Sequence, residues 1–339
     1  MAKTIFTKIQ ELESLGRLSK HEQLVMGVIN AIDDRIIRSG NQLPSVNRMI
    51  QELKFARNTI VKAYSDLKDR GIVEERKGQG FIIKSASTDQ TVRVALLLYA
   101  FHPFQEIFYN TFRAGLGDNI QLDVFFHHNN LEVFENTLNN IKGRYGMYVV
   151  APIENKKTKG MLLQIPQNKL LVVDRPLHMG SDYSFVVQEF EQPVYDALEE
   201  LKDTIRKFRK MVLVFRSGSD FPMGILKAFR RFVADYKIKH EVVPDYIPAS
   251  VESDTVYMTI GDTELWQILK DCVASKLVIG KDVGILSHNE SPVKEIVCGG
   301  ITTISTDFRQ MAQCAAEFVL NRTFSQRVIP SILVRRNSL

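Results

Sequence analysis

The sequence has few cysteines and shows no feature of an exported or membrane-spanning protein. Cys272, Cys298 and Cys314 are far apart and form no Cys-x-x-Cys pair, which argues against a disulfide framework or a zinc site. The N-terminal segment 1–13 is polar and mixed in charge, without the apolar core of a secretion signal. The longest strongly apolar run, 94–100, is far shorter than the roughly 20 residues that span a bilayer. We therefore expect a cytoplasmic protein with no membrane partner.

The sequence also lacks the short motifs that mark the common cofactor and catalytic sites. It contains no strand-linked G-x-G-x-x-G, no G-x-x-x-x-G-K-[ST], no G-x-S-x-G and no H-E-x-x-H. We therefore expect no cofactor and no catalytic residue, and an α/β enzyme remains the weaker alternative.

The positive charge lies in the first quarter of the chain. The net charge is +5 over 339 residues. Residues 1–86 hold 15 Lys and Arg against 10 Asp and Glu, whereas the remainder holds 29 of each. A local cationic region indicates an anionic partner such as nucleic acid or a membrane surface, although a solvated surface has the same composition.

The N-terminal residues show the order of a winged helix-turn-helix. Ser19 and Glu22 form a capping box that opens a helix. A second helix starts at Pro44-Ser45, and a third runs from about 57 to 70 with Gly71 as its C-cap. Two short strands, 72–76 and 81–83, flank a glycine-containing turn.

Beyond a small polar stretch, short apolar segments alternate with amphipathic helices. The strand candidates are 92–99, 121–126, 147–151, 169–173, 184–187, 211–215, 255–260, 283–287 and 300–304. The helix candidates are 104–117, 131–144, 189–206, 222–236, 263–275 and 307–321. This alternation predicts an α/β fold with two parallel sheets and a cleft between them. The predicted domains are 1–83 (winged helix-turn-helix), 84–91 (linker) and 92–339 (two-lobed domain).

Polar side chains near the start of the third helix are suited to reading DNA. Arginine pairs bidentately with guanine and asparagine with adenine, and residues near the N-terminus of a recognition helix reach the bases. Glycines in the wing allow the main chain to approach a phosphate or the minor groove. The predicted DNA-binding residues are Arg48, Arg57, Asn58, Thr59, Lys62, Arg76, Lys77 and Gly78.

The stretch from Leu43 to Ile83 resembles the DNA-binding domain of the GntR family of bacterial regulators. The matching features are Leu43-Pro44-Ser45, Arg57-x-Thr59, Ala63, Leu67, Gly71-Ile72-Val73 and Gly78-x-Gly80. The resemblance implies that Arg48, Arg57, Thr59 and Gly78 contact DNA. Two departures, Ala56 where the family usually has serine and Val61 where a basic residue is frequent, prevent transfer of an operator sequence.

Residues 92–336 resemble the sensor domain of the LacI/GalR regulators, which have the periplasmic binding protein fold. The matching phrases are "VALLLYAFHPF", "LLVVDRP", "IGDTELWQILK", "KDVGILSHNESP", "GGITTISTDFRQMAQCAAEFVLNR" and "RVIPSILVRRNS". The resemblance implies a small sugar effector, a homodimer, an inverted-repeat operator in double-stranded DNA, and repression of carbohydrate-utilisation genes. A non-sugar or phosphorylated metabolite is the alternative effector.

Ligands of such folds bind between the lobes, at the carboxyl ends of the strands. Position along the chain therefore selects the predicted ligand-binding residues, which are Tyr99, His102, Phe104, Glu106, Asp174, Arg175, Arg216, Asp220, Asp262, His288, Asn289 and Glu290. Many relatives place an arginine near the helix that starts at about Pro222, where this chain has Phe221, Pro222 and Met223. The entrance to the predicted cleft is therefore less polar than in those relatives, which favours a pentose or a deoxyhexose as the ligand.

Overall fold

The protein is described by a computed structural model that covers residues 4–13, 19–69, 71–84, 92–118, 120–142 and 144–339. The chain divides into two compact units, one built mainly from the first 93 residues and the other from most of the remainder. The predicted linker 84–91 lies outside the described residues except for Lys84. Among the described helices, none has the length and apolarity needed to cross a membrane.

The first unit contains four helices and a two-stranded sheet. Their bounds are α1 (Ile5–Glu13), α2 (Lys20–Asp33), α3 (Val46–Leu53), α4 (Arg57–Asp69), β1 (Val73–Arg76) and β2 (Gly80–Ile83). The capping box predicted at Ser19 and Glu22 is present and opens α2, and Ser45 caps α3 by accepting a hydrogen bond from the backbone N–H of Arg48. The strands pair antiparallel, with Val73 opposite Ile83. These elements form the predicted winged helix-turn-helix.

Helix α1 is an addition that the sequence analysis did not predict. Its Ile5, Ile9 and Leu12 are buried, and they recur at the spacing of one helical face. Ile9 fits against Gly27 of α2, where an added Cβ would come within 2.4 Å of the Ile9 side chain. The absence of a side chain at Gly27 therefore permits the close approach of the two helices.

The second unit alternates strands and helices. In chain order it contains β3 (Val92–Leu98), α5 (Pro103–Leu116), β4 (Ile120–Phe126), α6 (Leu131–Ile141), β5 (Met147–Val150), α7 (Lys156–Leu162), β6 (Leu170–Asp174), β7 (Ser184–Gln188), α8 (Glu191–Glu200), α9 (Lys202–Ile205), β8 (Lys210–Val214), α10 (Met223–Asp235), β9 (His240–Val243), β10 (Thr255–Thr259), α11 (Asp262–Ala274), β11 (Val283–His288), α12 (Pro292–Ile296), β12 (Thr302–Thr306), α13 (Phe308–Asn321), β13 (Gln326–Ile329) and β14 (Ser331–Val334). Short 3-10 helices lie at 167–169 and 297–299.

These strands form two six-stranded sheets, one in each lobe. The strand order is β13-β7-β6-β5-β3-β4 in the first lobe and β14-β12-β11-β10-β8-β9 in the second. The first-lobe pairs from β13 to β3 are parallel, and in the second lobe only β14 runs antiparallel. The chain passes between the lobes after β7, after β12 and after β13. This is the predicted α/β architecture with two parallel sheets.

Several element bounds differ from those predicted. The single helix expected over 189–206 is divided into α8 and α9. The helix predicted over about 57–70 is α4, described as far as Asp69; Arg70 lies outside the described residues. Strand β9 and the short helices α7 and α12 were not predicted. Strand β9 is an edge strand with two exposed residues in four, so it lacks the apolar run that marks a buried parallel strand.

Candidate functional site

The predicted recognition residues lie on one exposed surface at the start of α4. The side chains of Arg57, Asn58 and Lys62 are exposed and that of Thr59 is half-buried. Ile60, Ala63, Tyr64 and Leu67 are buried on the other side of the helix. The guanidinium of Arg57 donates a 3.3 Å hydrogen bond to the side-chain carbonyl of Asn47 on α3, which orients it at the exposed helix start.

Arg48 is exposed on α3 and contacts the added helix α1. Its guanidinium lies 5.7 Å from the ring centre of Phe6, within the range of a weak cation–π contact. Helix α1 therefore supports a basic side chain at the edge of the recognition surface.

The wing joins β1 and β2 through an exposed turn that contains Lys77 and Gly78. Gly78 has φ +80° and Gly80 has φ +75°, values that favour glycine. The side-chain amide of Gln42 donates a hydrogen bond to the carbonyl of Gln79 and so ties the turn to the chain before α3. Arg76 is paired with Glu74 of its own strand at 2.5 Å, so Lys77 presents the more available charge.

A cavity of about 420 Å³ lies where the strands of both lobes end; we refer to it as the cleft. Ten of the twelve predicted ligand-binding residues line it: His102, Phe104, Asp174, Arg175, Arg216, Asp220, Asp262, His288, Asn289 and Glu290. Tyr99 lines a neighbouring cavity that shares His102 and Asp220. Glu106 lies in the first turn of α5, exposed and outside these lining sets.

Arg175 connects the two lobes at the centre of the cleft. Its guanidinium lies 4.3 Å from the ring centre of Tyr99, and an Nη2 hydrogen is donated to the carbonyl of Asp220 in the second lobe. Its buried Nε hydrogen has no acceptor among the described residues. An unsatisfied buried donor is costly, and it belongs to a residue that lines the cleft.

The carboxylate of Asp174 lies at the end of β6 in a strained backbone conformation with φ +68°. The side-chain amide of Gln188 donates to it at 2.5 Å, and the same amide group accepts a 2.8 Å hydrogen bond from Thr306. Burial raises the pKa of Asp174, while the adjacent Arg175 charge opposes the rise. Positive φ at a non-glycine residue is typical of functional positions.

His288 and Asn289 hold further polar atoms that lack partners. His288 is 2% exposed, and neither ring nitrogen has a partner at hydrogen-bonding geometry within the described part of the chain; the Asn289 side chain is the one polar group near enough to raise the His288 pKa, against the effect of burial. Burial, with the nearby charges of Lys294 and Arg175, lowers the pKa of His288 to about 3, so the ring is neutral and offers one donor and one acceptor. The buried Oδ1 of Asn289 likewise has no donor among the described residues.

The other predicted charged residues of the second lobe are already engaged. Arg216 pairs with Asp245 and, at 3.0 Å, with Glu264. The Glu290 carboxylate accepts hydrogen bonds from Thr303 at 2.8 Å and Arg336 at 2.7 Å. Such partners hold these side chains in place, so they shape the cleft before any ligand enters.

Asp262 opens α11 and forms a 2.7 Å ion pair with Lys294, which is 1% exposed. The Lys294 ammonium also donates to the carbonyls of His288 and Asn289 at 3.0 and 2.9 Å. Burial lowers the pKa of Lys294, and the Asp262 charge opposes that effect. This lysine therefore fixes the end of β11, where His288 and Asn289 lie.

Sequence reasoning missed several residues of the cleft. Gln188 is the last residue of β7, and a polar side chain at a strand end is the feature by which other cleft residues were predicted. Trp266 is the single tryptophan of the chain. It lies on α11, beyond Asp262, the residue that was selected at the end of β10. Lys294 lies on α12, a short helix that was not predicted. The missed polar and aromatic lining residues are Gln188, Phe190, Thr263, Glu264, Trp266 and Lys294, whereas Phe221 was placed at the mouth of the cleft from the sequence.

The cleft offers donors, acceptors and aromatic rings but no metal site. Within the described ranges, no group of three or more His, Cys, Asp and Glu side chains could hold a metal ion. Phe190 lies 6.1 Å from the ring of His288, so an aromatic face adjoins the unpartnered imidazole. Such a set suits a ligand that both donates and accepts hydrogen bonds and has an apolar face.

Comparison with known proteins finds a family match for the first unit and a structural likeness for the second. Residues 20–83 match the family model described as bacterial regulatory proteins, gntR family. Over 72 residues, the chain is 38% identical to the uncharacterized HTH-type transcriptional regulator YhcF of Bacillus subtilis (strain 168), a match that covers 20% of this chain. The chain spans 60% of the length of that curated relative.

The second unit is similar in structure to LacI-family regulators. A LacI family transcriptional regulator from Lactobacillus casei with bound glucose aligns with a TM-score of 0.63 and 17% identity, covering 74% of this chain and 100% of that one. The lac repressor dimer bound to operator and the anti-inducer ONPF aligns with a TM-score of 0.58 and 13% identity, covering 74% and 95%. At these identities the likeness establishes the fold. The comparisons confirm the two resemblances expected from the sequence.

Proposed function

We propose that this chain, which joins a helix-turn-helix domain of the GntR family to a two-lobed domain with the LacI-type fold, is a transcription regulator. The first unit binds operator DNA in the cytoplasm, and a small molecule in the cleft changes the operator affinity. Support for DNA binding comes from the exposed basic residues at the start of α4 and in the wing and from the family match over residues 20–83. No catalytic role is proposed for the cleft.

We propose that the regulator acts as a homodimer on an inverted repeat. One winged helix buries little DNA surface, and two-fold proteins match two-fold operators. Four apolar side chains of the second lobe, Ile247, Val273, Val278 and Ile296, are 54–79% exposed. A dimer interface would bury such side chains.

The effector we propose is a small neutral sugar, and one observation carries this proposal. Arg175, His288 and Asn289 each place a buried polar atom without a partner among the described residues at the cleft wall. Buried polar groups in folded proteins are nearly always satisfied. A hydroxylated ligand would supply an acceptor for the Arg175 Nε hydrogen and a donor for the Asn289 oxygen.

The charge of the cleft favours a neutral ligand over a phosphorylated one. Carboxylates outnumber the lysine and arginine side chains that line it: Asp174, Asp220, Asp262, Glu264 and Glu290 against Arg175, Arg216 and Lys294. Two of those three cations are already paired with carboxylates. An anionic group would therefore meet net repulsion.

Among sugars, we propose a pentose or a deoxyhexose. Phe221 and Pro222 line the cleft at the start of α10, and Met223 is 42% exposed beside them. Apolar side chains there offer no partner to an additional hydroxyl group, whose loss of hydration would be uncompensated. We further propose that the sugar releases DNA and that the targets are carbohydrate-utilisation genes.

The experiment that tests this function has two parts. Duplexes selected from a random pool by the purified protein would define the operator. A panel of pentoses, hexoses, deoxyhexoses and their phosphates would then be titrated while the fluorescence of Trp266 is recorded, because this single tryptophan lines the cleft.

We expect one neutral sugar to change the Trp266 signal and to weaken operator binding. The matched control is Asp174→Asn, which replaces one of the five cleft carboxylates and leaves the first unit unaltered. It should abolish the sugar response and retain operator affinity. Failure of the wild-type chain to select any duplex, or of every sugar to bind, would contradict the proposal.

A further inference from the structure

One apolar side chain is exposed among the polar residues at the start of α4. Val61 is 47% exposed, and no other large apolar side chain in the described part of the first unit is as exposed. Four other apolar residues of the same helix join the core of that unit, and Val61 does not. Valine is also a poorer helix former than alanine. Neither packing nor helix propensity therefore accounts for a valine at this position.

Val61 lies on the side of α4 that carries the predicted base-reading residues. It follows Arg57 by four positions and Asn58 by three, and side chains at these spacings are neighbours on a helix surface. Both residues are exposed, as is Lys62 next to Val61. The 3.3 Å hydrogen bond from Arg57 to Asn47 orients the side chain one turn before Val61. A recognition helix brings its N-terminal residues to the base edges of the major groove, so Val61 lies where a base edge would be.

The major groove presents a single kind of apolar group. Thymine carries a C5 methyl group there, whereas the other base edges present hydrogen-bond donors and acceptors. The Val61 side chain has two methyl groups and neither a donor nor an acceptor. Against a polar base edge it would displace water without replacing the lost hydrogen bonds, which is unfavourable. Against a thymine methyl, both apolar surfaces leave water, which is favourable.

We propose that Val61 is a specificity-determining residue that contacts the C5 methyl of one thymine in each half-site of the operator. This inference rests on the proposed DNA-binding function. The same side chain acts in two ways, because it attracts thymine through methyl burial and disfavours the other bases by leaving their polar edges unpaired.

The test removes the thymine methyl and nothing else. Each thymine of the operator selected from the random pool would be replaced in turn by uracil, and the affinity of the full-length chain would be measured by fluorescence anisotropy. Uracil at one position should weaken binding about fourfold per half-site, the effect of burying one methyl group. At that position 5-methylcytosine should bind about fourfold more tightly per half-site than cytosine, because it carries the same methyl group.

Two variants assign this methyl effect to its partner. Val61→Ala should weaken binding to the thymine operator and make uracil and thymine equivalent at the sensitive position. Its urea unfolding should match that of the wild type or show higher stability, because Val61 is exposed and alanine favours the helix. The matched control, Lys62→Ala, removes the adjacent exposed side chain and should weaken binding while keeping the fourfold uracil penalty.

The outcomes separate this inference from the function on which it rests. The inference is overturned, and DNA binding stands, if the selected half-sites contain no thymine or if uracil is tolerated at every position. It is also overturned if the uracil penalty persists in Val61→Ala, since the preference would then come from DNA shape. If the chain selects no duplex, the proposed DNA-binding function fails and the inference fails with it.

Discussion

Replacing His288 by phenylalanine should stabilise the empty protein and weaken its response to sugar. His288 is buried, and both ring nitrogens lack partners among the described residues. An unsatisfied buried polar group costs about 1–3 kcal/mol. A phenyl ring carries no such groups, and the adjacent cleft of about 420 Å³ leaves room for its extra atoms. We therefore expect the free energy of unfolding to rise by about 1–3 kcal/mol.

The matched control is His127→Phe in the first lobe. His127 is also buried, but its Nε2 lies 3.1 Å from the carbonyl of Ala151 and its Nδ1 accepts a 3.2 Å hydrogen bond from the backbone of Asn129. Its replacement leaves those partners unsatisfied and should lower the free energy of unfolding by about 1–3 kcal/mol. The two variants should therefore change the free energy of unfolding in opposite directions.

Urea unfolding without ligand measures how His288→Phe changes the free energy of unfolding, and calorimetric titration of the effector measures how it changes effector affinity. Thermal unfolding gives a parallel reading, at about 2–4 °C per kcal/mol for a domain of this size. His288→Phe should also weaken effector binding about tenfold, the equivalent of one lost hydrogen bond of about 1.4 kcal/mol. Destabilisation similar to that of the control, or unchanged effector affinity, would refute the assignment of His288 as a ligand-binding group.

Three further predictions concern DNA binding, helix packing and pH. Arg57→Ala should weaken binding to the selected operator by about 1–3 kcal/mol but change binding to unrelated DNA little, whereas Arg48→Ala should weaken binding to both and reduce the salt slope by about 1. Fluorescence anisotropy over a salt series checks this. Wild-type binding by both variants would contradict the assignment of the exposed residues at the start of α4 as the recognition surface. Gly27→Ala would bring a Cβ within 2.8 Å of the Ile9 backbone, so the first unit should lose about 1–2 kcal/mol despite the better helix propensity of alanine; urea unfolding measures it, and a gain in stability would disprove the close packing of α1. Burial lowers the pKa values of His127 and His288 to about 4 and about 3, so both are neutral in the folded protein and charged in the unfolded chain below pH 6.5. Their contribution to the free energy of unfolding is complete above pH 6.5 and should fall by about 1.4 kcal/mol per pH unit for each as the pH drops toward 4. An unchanged pH slope in a variant with both histidines replaced by phenylalanine would contradict this.

The architecture was predictable because its signals are local. Buried parallel strands such as β5 and β8 contain continuous apolar runs, which mark strands covered on both faces. Ser19 and Ser45 identify helix starts through side-chain hydrogen bonds within three residues. Helix α1 was missed although Ile5, Ile9 and Leu12 follow the spacing of one helical face; its stability comes from packing on α2.

The cleft was only partly predictable because it joins distant segments. A strand-end rule places Asp174 and Arg175 correctly, since they directly follow β6. It also selected Glu106, whose place one turn into α5 leaves it exposed outside the described cavity linings. Lys294 could not be found, because its role depends on reaching across to Asp262. Which polar atoms remain unpartnered depends on side-chain geometry that sequence does not encode locally.

The central claim is that the cleft and the recognition surface are energetically coupled, and a reciprocal binding measurement tests it most directly. Operator affinity would be measured by anisotropy with and without saturating sugar, and sugar affinity by Trp266 fluorescence with and without saturating operator. Thermodynamic linkage requires the two factors to be equal, and a coupling of about 1–3 kcal/mol corresponds to roughly 5–150-fold. We expect equal factors in this range, each a weakening. Tight sugar binding with both factors equal to one would contradict the account.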